Sequence, residues 1–196
     1  RGANTFLPAA VAVRWAQIVA DDFHARASAY SRHYRYLLIN RAHRTGAWHG
    51  KAGWYHHPLD VAAMQAAADL LLGERDFSAF RAAECQAISP VKIMRRAEVR
   101  RFDDLVVFDF EASAFLHHMV RNLVGSLVAV GQGKHSPEWI AELLACGDRR
   151  LAAPTFAAAG LYLAAVRYQP HWGLPHTAAT LFLPGAFDYC GTGRAG

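Results

Sequence analysis

A stretch near the middle of the chain combines cationic and amide side chains with an otherwise apolar segment, residues 114–127. At about 100° per residue, it predicts a helix with one broad apolar arc. The opposite arc carries His117, His118, Arg121, Asn122 and Gly125 rather than the usual Lys and Glu. A permanently charged Arg on such a helix needs an anion or a wet cleft. Two interpretations stay open at this point, a half-buried structural Arg paired with a carboxylate and an Arg that serves a site.

A second candidate lies in residues 30–40, the clearest strand of the sequence. Tyr34 and Tyr36 fall on one face of this strand, and His33 and Arg35 fall on the other. Alternating Arg and Tyr suits a nucleic acid, because Arg binds phosphate and Tyr stacks on bases. Tyrosines are also common in strands that bind nothing, so the pattern alone favours the structural explanation.

The composition describes a globular chain with a basic surface. Of 196 residues 53% are hydrophobic and 19% are charged, which excludes an intrinsically disordered protein. The net charge is +5 with many clustered Arg residues, which favours a partner that carries phosphate. Three Cys in no zinc-ligand spacing indicate a reducing, cytoplasmic setting. The His residues of 41–57 match no metal-ligand pattern, so neither a metal nor a His-rich metal hydrolase is expected. No apolar run is long enough to span a membrane.

The elements that must position these residues alternate irregularly along the chain. Strands are predicted at 9–20, 30–40, 91–101, 105–112 and 161–167, and helices at 59–72, 114–127 and from Ser136 to Gly147. Residues 41–57 and 74–81 are predicted as loops, the second with its aromatics in the core. Neighbouring strands pair without regular crossover helices, so the fold class is α+β, with a mainly antiparallel mixed sheet and helices packed on it.

Four stretches, in this order, resemble the C-terminal part of the tRNA pseudouridine synthase A family. They are residues 22–26 (DFHAR), 34–36 (YRY), 76–80 (DFSAF) and 115–122 (FLHHMVRN). Residues 160–163 (GLYL) add a fifth, and 181–183 (LFL) resemble the family's C-terminal end. The resemblance runs from about residue 5 to 183. We therefore expect a synthase region over 1–183 and a flexible tail over 184–196.

The resemblance implies a specific chemistry and a specific set of residues. The family isomerises uridine to pseudouridine at positions 38, 39 and 40 of the tRNA anticodon stem-loop, as a homodimer without cofactor or metal. By resemblance, Tyr34 stacks on the target base, Arg121 pairs with the catalytic carboxylate, and Leu161 is the apolar wall of the pocket. Arg26 and His24 are expected to line the RNA cleft.

One motif of the family is not found in this sequence. The nucleophilic aspartate of the family lies in a Gly-Arg-Thr-Asp segment, upstream of all these stretches. We therefore expect the chain to be a fragment whose nucleophile lies upstream, inactive in isolation and weakened by an unpaired sheet edge. The alternative is a non-catalytic RNA-binding module that uses the same basic strands and Tyr34.

Overall fold

A long strand, β1 (Ala29–Asn40), lies at the centre of the fold and pairs with neighbours on both sides. The structure is a computed structural model that describes residues 2–175. The other strands are β2 (Gly53–Tyr55), β3 (Gly73–Asp76), β4 (Val91–Phe102), β5 (Leu105–Ala112) and β6 (Leu161–Tyr168). The helices are α1 (Gly2–Thr5), α2 (Val61–Asp69), α3 (Met119–Gly131) and α4 (Trp139–Cys146). Single turns of 3-10 helix occur at 46–48, 78–80, 149–151 and 170–172.

The strands form one mixed sheet in the order β3, β4, β5, β1. On its far side β1 pairs with the antiparallel β6 over residues 29–36 and with the short parallel β2 over residues 38–40. The other pairings, β1 with β5, β5 with β4 and β4 with β3, are antiparallel. The predicted α+β class with a mainly antiparallel mixed sheet is confirmed.

Helices α2, α3 and α4 cover one face of the sheet and bury the main hydrophobic core. Tyr36, Phe108 and Phe110 of the sheet pack in one cluster with Met119 and Leu123 of α3. The predicted core aromatics of the 74–81 segment, Phe77 and Phe80, are fully buried in the same cluster. Among the described residues, no helix combines the length and apolarity needed to cross a bilayer.

Residues 9–20, predicted as a strand, form no regular element and are almost entirely exposed. The alternation at Val11, Val13 and Trp15 has no neighbouring strand to pair with in the described part of the chain. Instead the Val13 backbone exchanges both of its hydrogen bonds with the side chain of Asn4, at 3.0 and 2.7 Å. The prediction failed because alternation indicates a strand only where a partner strand is available.

The predicted helix over 114–127 is displaced toward its C-terminus and begins at Met119. The chain is still attached to the sheet at Ser113, which exchanges hydrogen bonds with the Ile93 backbone. A left-handed residue, His118, then starts α3.

The two predicted loops also contain short strands, β2 and β3, which are too short for periodicity to reveal.

The other predicted elements agree with the structure within a few residues. The helix predicted over 59–72 is α2, and the last helix begins at Trp139, three residues after Ser136. Gly147 ends that helix in a left-handed conformation, as expected. The predicted docking segment at 181–183 and the predicted tail at 184–196 lie outside the described residues.

Gly125 allows the loop after α4 to approach α3 closely. A Cβ at this position would overlap the carbonyl oxygen of Pro154. We expect Gly125→Ala to lower the free energy of unfolding by about 1–3 kcal/mol, because overpacking outweighs the helix propensity gained. Urea denaturation measures this change. Gly131→Ala is the matched control on the same helix, since its Cβ would meet the side chains of Met64 and Leu59 rather than backbone atoms. Equal losses in the two variants would contradict this explanation.

Candidate active site

The predicted site residues surround a cavity of about 490 Å³, next to the first turn of α3. Tyr34, Arg121, Leu161 and Arg26 all line this cavity, although they come from four separate stretches of the chain. A volume of this size is within the usual range for ligand pockets in proteins. The structure therefore brings four of the five predicted site residues together.

Tyr34 enters the cavity from the helix-covered face of β1. Its backbone pairs with Phe110 of β5 on one side and with Leu163 of β6 on the other. The Tyr34 ring meets the Phe115 ring edge to face, with centroids 5.0 Å apart and an interplanar angle of 80°. This contact fixes the orientation of a half-buried aromatic face that remains available to the cavity.

Arg121 is held by one of its three guanidinium nitrogens. Its Nε donates to the carbonyl oxygen of Phe156 at 2.7 Å, and the Phe156 amide donates to the Arg121 carbonyl at 3.2 Å. Within residues 2–175, its two terminal nitrogens have neither a hydrogen-bond acceptor nor a carboxylate partner. The structural explanation considered above, a salt bridge to a neighbouring acid, is therefore not what holds Arg121 among these residues. The guanidinium is fixed in orientation and can still form a bidentate contact with an anion.

Leu161 is the first residue of β6 and is positioned by the turn that precedes it. Gly160 has φ +100° and accepts a hydrogen bond from the Leu37 amide at 2.9 Å. The buried Tyr36 hydroxyl donates to the carbonyls of Ala157 and Ala159, at 2.9 and 2.7 Å. Burial raises the pKa of Tyr36, against the opposing charge of Arg121, so its phenol remains a donor even at alkaline pH. These contacts anchor the turn and place Leu161 at the cavity wall.

Arg26 and His24 share a turn before β1 but differ in position. Arg26 lines the cavity, and its carbonyl accepts a hydrogen bond from Arg32. His24 is not among the lining residues. Its Nδ1 accepts hydrogen bonds from the backbone amides of Arg26 and Ala27, at 3.1 and 3.2 Å. In this structure His24 shapes the turn that carries Arg26.

Other lining residues were not singled out as site residues from the sequence. The loop residues Glu84 and Cys85 line the cavity, as do Phe115 and the pair His117 and His118. Glu84 is the acidic residue of the described lining, which contains no aspartate. Phe115, His117 and His118 lie within the pattern of residues 115–122, which the sequence shows. Glu84 and Cys85 lie in a loop without periodicity, so the sequence gives no indication of their position.

Asn122 was expected on the polar arc but is fully buried. Its Nδ2 donates to the Phe80 carbonyl at 2.8 Å, and its Oδ1 accepts from Arg149 and Thr155. Asn122 therefore connects α3 to two loops rather than facing the cavity.

The opposite face of β1 carries a buried ion cluster centred on Asp109 of β5. Its carboxylate accepts hydrogen bonds from His33 at 2.7 Å, from Arg35 at 2.8 and 3.1 Å, and from Arg100 at 3.0 Å. Burial would raise the pKa of Asp109, but the hydrogen bonds and charges of His33 and Arg35 hold it well below its ordinary value. Arg35 and Arg100 of the predicted basic strands are thus engaged by a carboxylate of the same chain. Across residues 2–175, no three His, Cys, Asp or Glu side chains converge as a metal site.

Comparison with known proteins adds an independent observation. A family model described as "tRNA pseudouridine synthase" matches residues 67–169. The chain is 65% identical over 175 residues to a protein of Dechloromonas aromatica, covering 89% of this chain and 67% of the relative. It is 57% identical over 184 residues to one of Aromatoleum aromaticum, covering 94% of the chain and 70% of the relative. It is 54% identical over 187 residues to one of Herminiimonas arsenicoxydans, covering 93% of the chain and 68% of the relative. Each of these relatives is named "tRNA pseudouridine synthase A".

Proposed function

This chain belongs to the tRNA pseudouridine synthase family, and we propose that its cavity holds the uridine that the enzyme isomerises to pseudouridine. The resemblance found in the sequence is thereby confirmed, as are the isomerase activity and the tRNA substrate that it implied. The residues that carry out the reaction, the uridines chosen and the assembly are proposals.

The convergence of Tyr34, Arg121 and Leu161 around one cavity is the observation that carries the assignment of the pocket. A uracil ring held there would stack on Tyr34 and contact Leu161 on its other side. Enzymes that act on a base inside a helix extrude it into a pocket of this kind. The edge-to-face contact with Phe115 would keep the Tyr34 ring in place while the base enters.

We propose that Arg121 holds the nucleophilic carboxylate in its ionised form. An opposite charge at hydrogen-bond distance lowers the pKa of a carboxyl group, which keeps it available as a nucleophile at neutral pH. The described lining offers no aspartate for this role, and Asp109 is buried on the other face of the sheet. We therefore propose that the nucleophile lies in a Gly-Arg-Thr-Asp segment, a motif that this 196-residue sequence does not contain.

We propose that the substrate region is the anticodon stem-loop at tRNA positions 38, 39 and 40, and that the enzyme acts in the cytoplasm as a homodimer. The tRNA positions and the homodimer follow from the resemblance of the sequence motifs to the family, and the cytoplasmic setting follows from the cysteine pattern. The cluster of basic side chains at the cavity, Arg26 and Arg121, is consistent with a polyanionic substrate.

The activity is tested with the 196-residue chain and the intact synthase in parallel. The substrate is a tRNA transcript with uridines at positions 38–40, and pseudouridine is measured by nucleoside chromatography after digestion. We expect pseudouridine from the intact protein and none from the 196-residue chain, since the lining of the cavity within residues 2–175 contains no aspartate. Pseudouridine formed by the isolated chain would overturn the proposed source of the nucleophile. An intact protein that binds tRNA without forming pseudouridine would favour the RNA-binding module instead.

A further inference from the structure

His118 has an unusual backbone conformation directly at the cavity. Its φ and ψ are 59° and 1°, in the left-handed region, and it precedes the first residue of α3. Over residues 2–175 one other non-glycine residue has a positive φ, Asp103 in the turn between β4 and β5. The left-handed region is unfavourable for a residue with a Cβ and persists where surrounding contacts hold it. Such residues often occur at functional sites.

The hydrogen-bonding capacity of the His118 side chain is unused by the fold. The imidazole does not cap α3, although His118 occupies the position that often supplies a side-chain cap. None of the described residues donates to or accepts from either of its ring nitrogens. Its contact with the fold is through stacking, since its ring lies on that of His117 with centroids 4.0 Å apart. The left-handed turn thus places an unpaired imidazole at the cavity, one helical turn before Arg121.

The surroundings of this imidazole favour its neutral form. Burial, then the neighbouring His117 and Arg121, lower the pKa of His118, and Glu84 opposes them. Arg26 and Cys85 also line the same cavity. A neutral imidazole offers one donor and one acceptor. It also adds no second cation beside Arg121 that would compete for the anion bound there.

We propose that His118 is a further substrate-binding residue, whose ring nitrogen forms a hydrogen bond with the nucleotide held in the cavity. The inference rests on the proposed function, because it requires that the cavity accepts the target uridine. The hydroxyl and carbonyl groups of a uridine nucleotide can pair with the donor and the acceptor of this imidazole. The role is to orient the nucleotide over Tyr34, and no proton transfer is assigned to His118.

The test compares three variants of the intact synthase on the same tRNA transcript, with kcat and KM measured separately. His118→Gly removes the ring and is free to keep the left-handed backbone. His118→Asn also tolerates this backbone and restores a donor and an acceptor. Asp103→Gly is the control, since it also replaces a left-handed non-glycine residue by glycine, in the turn between β4 and β5. Thermal unfolding of each variant verifies that it is folded.

We expect His118→Gly to raise KM for tRNA by about two- to tenfold, the usual effect of losing one hydrogen bond. His118→Asn is expected to recover part of this loss, and Asp103→Gly to leave KM unchanged. An unchanged KM in His118→Gly, or equal KM values for the Gly and Asn variants, would overturn the inference while the wild type remains active. A wild type that forms no pseudouridine would instead overturn the proposed function, which keeps the two failures distinct.

Discussion

Arg121→Ala is expected to abolish pseudouridine formation by the intact synthase and to leave the protein folded. The terminal nitrogens of Arg121 face the cavity without a partner among the described residues, so their removal takes away the contact to a bound carboxylate. Removing one preorganised donor from an active site typically lowers kcat by about 10²–10³-fold, and loss of the charge adds to this. The structural loss is the single hydrogen bond to Phe156. Single-turnover assays and thermal unfolding measure the two effects separately.

Two controls separate the proposed role of Arg121 from a structural one. Arg121→Lys keeps the positive charge but cannot bind Phe156 and an anion with the same planar fork, so partial activity is expected. Arg150→Ala removes an exposed Arg whose partner is Asp148, and we expect no change in turnover. If Arg121→Ala retains turnover, Arg121 serves only to hold Phe156.

Asp109→Ala is expected to cause the largest loss of stability of any single change considered. It removes a fully buried carboxylate and leaves His33 and Arg35, both largely buried, without their counter-charge. Breaking one side of a buried ion pair typically costs about 3–5 kcal/mol. The free energy of unfolding from urea titration measures this loss. Asp148→Ala removes a carboxylate whose partner Arg150 is exposed, together with its cap on the Arg150 amide, and is expected to change stability less.

The same cluster predicts a pH dependence of stability. The pKa of Asp109 is lower in the folded protein than in the unfolded chain, where it is about 3.9. Its contribution is therefore fully present above about pH 4 and is lost as the pH falls toward the folded-state value. We expect the free energy of unfolding of the wild type to decrease more steeply below pH 4 than that of Asp109→Ala. Parallel slopes in the two proteins would contradict this assignment.

The sequence predicts well those parts of the fold that depend on local pattern. The strand at 30–40 and the hairpin of residues 91–112 follow from alternation of apolar and polar residues. The same alternation failed at Val11, Val13 and Trp15, since pairing is a property of the whole sheet rather than of the segment. The strands β2 and β3 were not predicted, because segments of three and four residues are too short to show a period.

The residues of the candidate site were found by the family resemblance, and their partners were not. Arg121 was recognised as a cation in need of an anion, but nothing in the sequence indicates its bond to the Phe156 carbonyl. Asn122 belonged to the same polar arc and is buried, because the loops it binds come from distant parts of the chain. The left-handed backbone of His118 could not be predicted from the sequence, since the identity of one non-glycine residue does not determine such a turn.

The reciprocal hydrogen bonds between Arg121 and Phe156 make two walls of the cavity mechanically dependent on each other. Phe156 lies five residues before Leu161 in a segment that Tyr36 also holds through the carbonyls of Ala157 and Ala159. A ligand that shifts Arg121 is therefore expected to act on the segment that leads into Leu161 as well. Substitutions on the Arg121 side that adapt the cavity to a different nucleotide would need compensating substitutions on the Leu161 side. The residues of the two walls are therefore expected to change together.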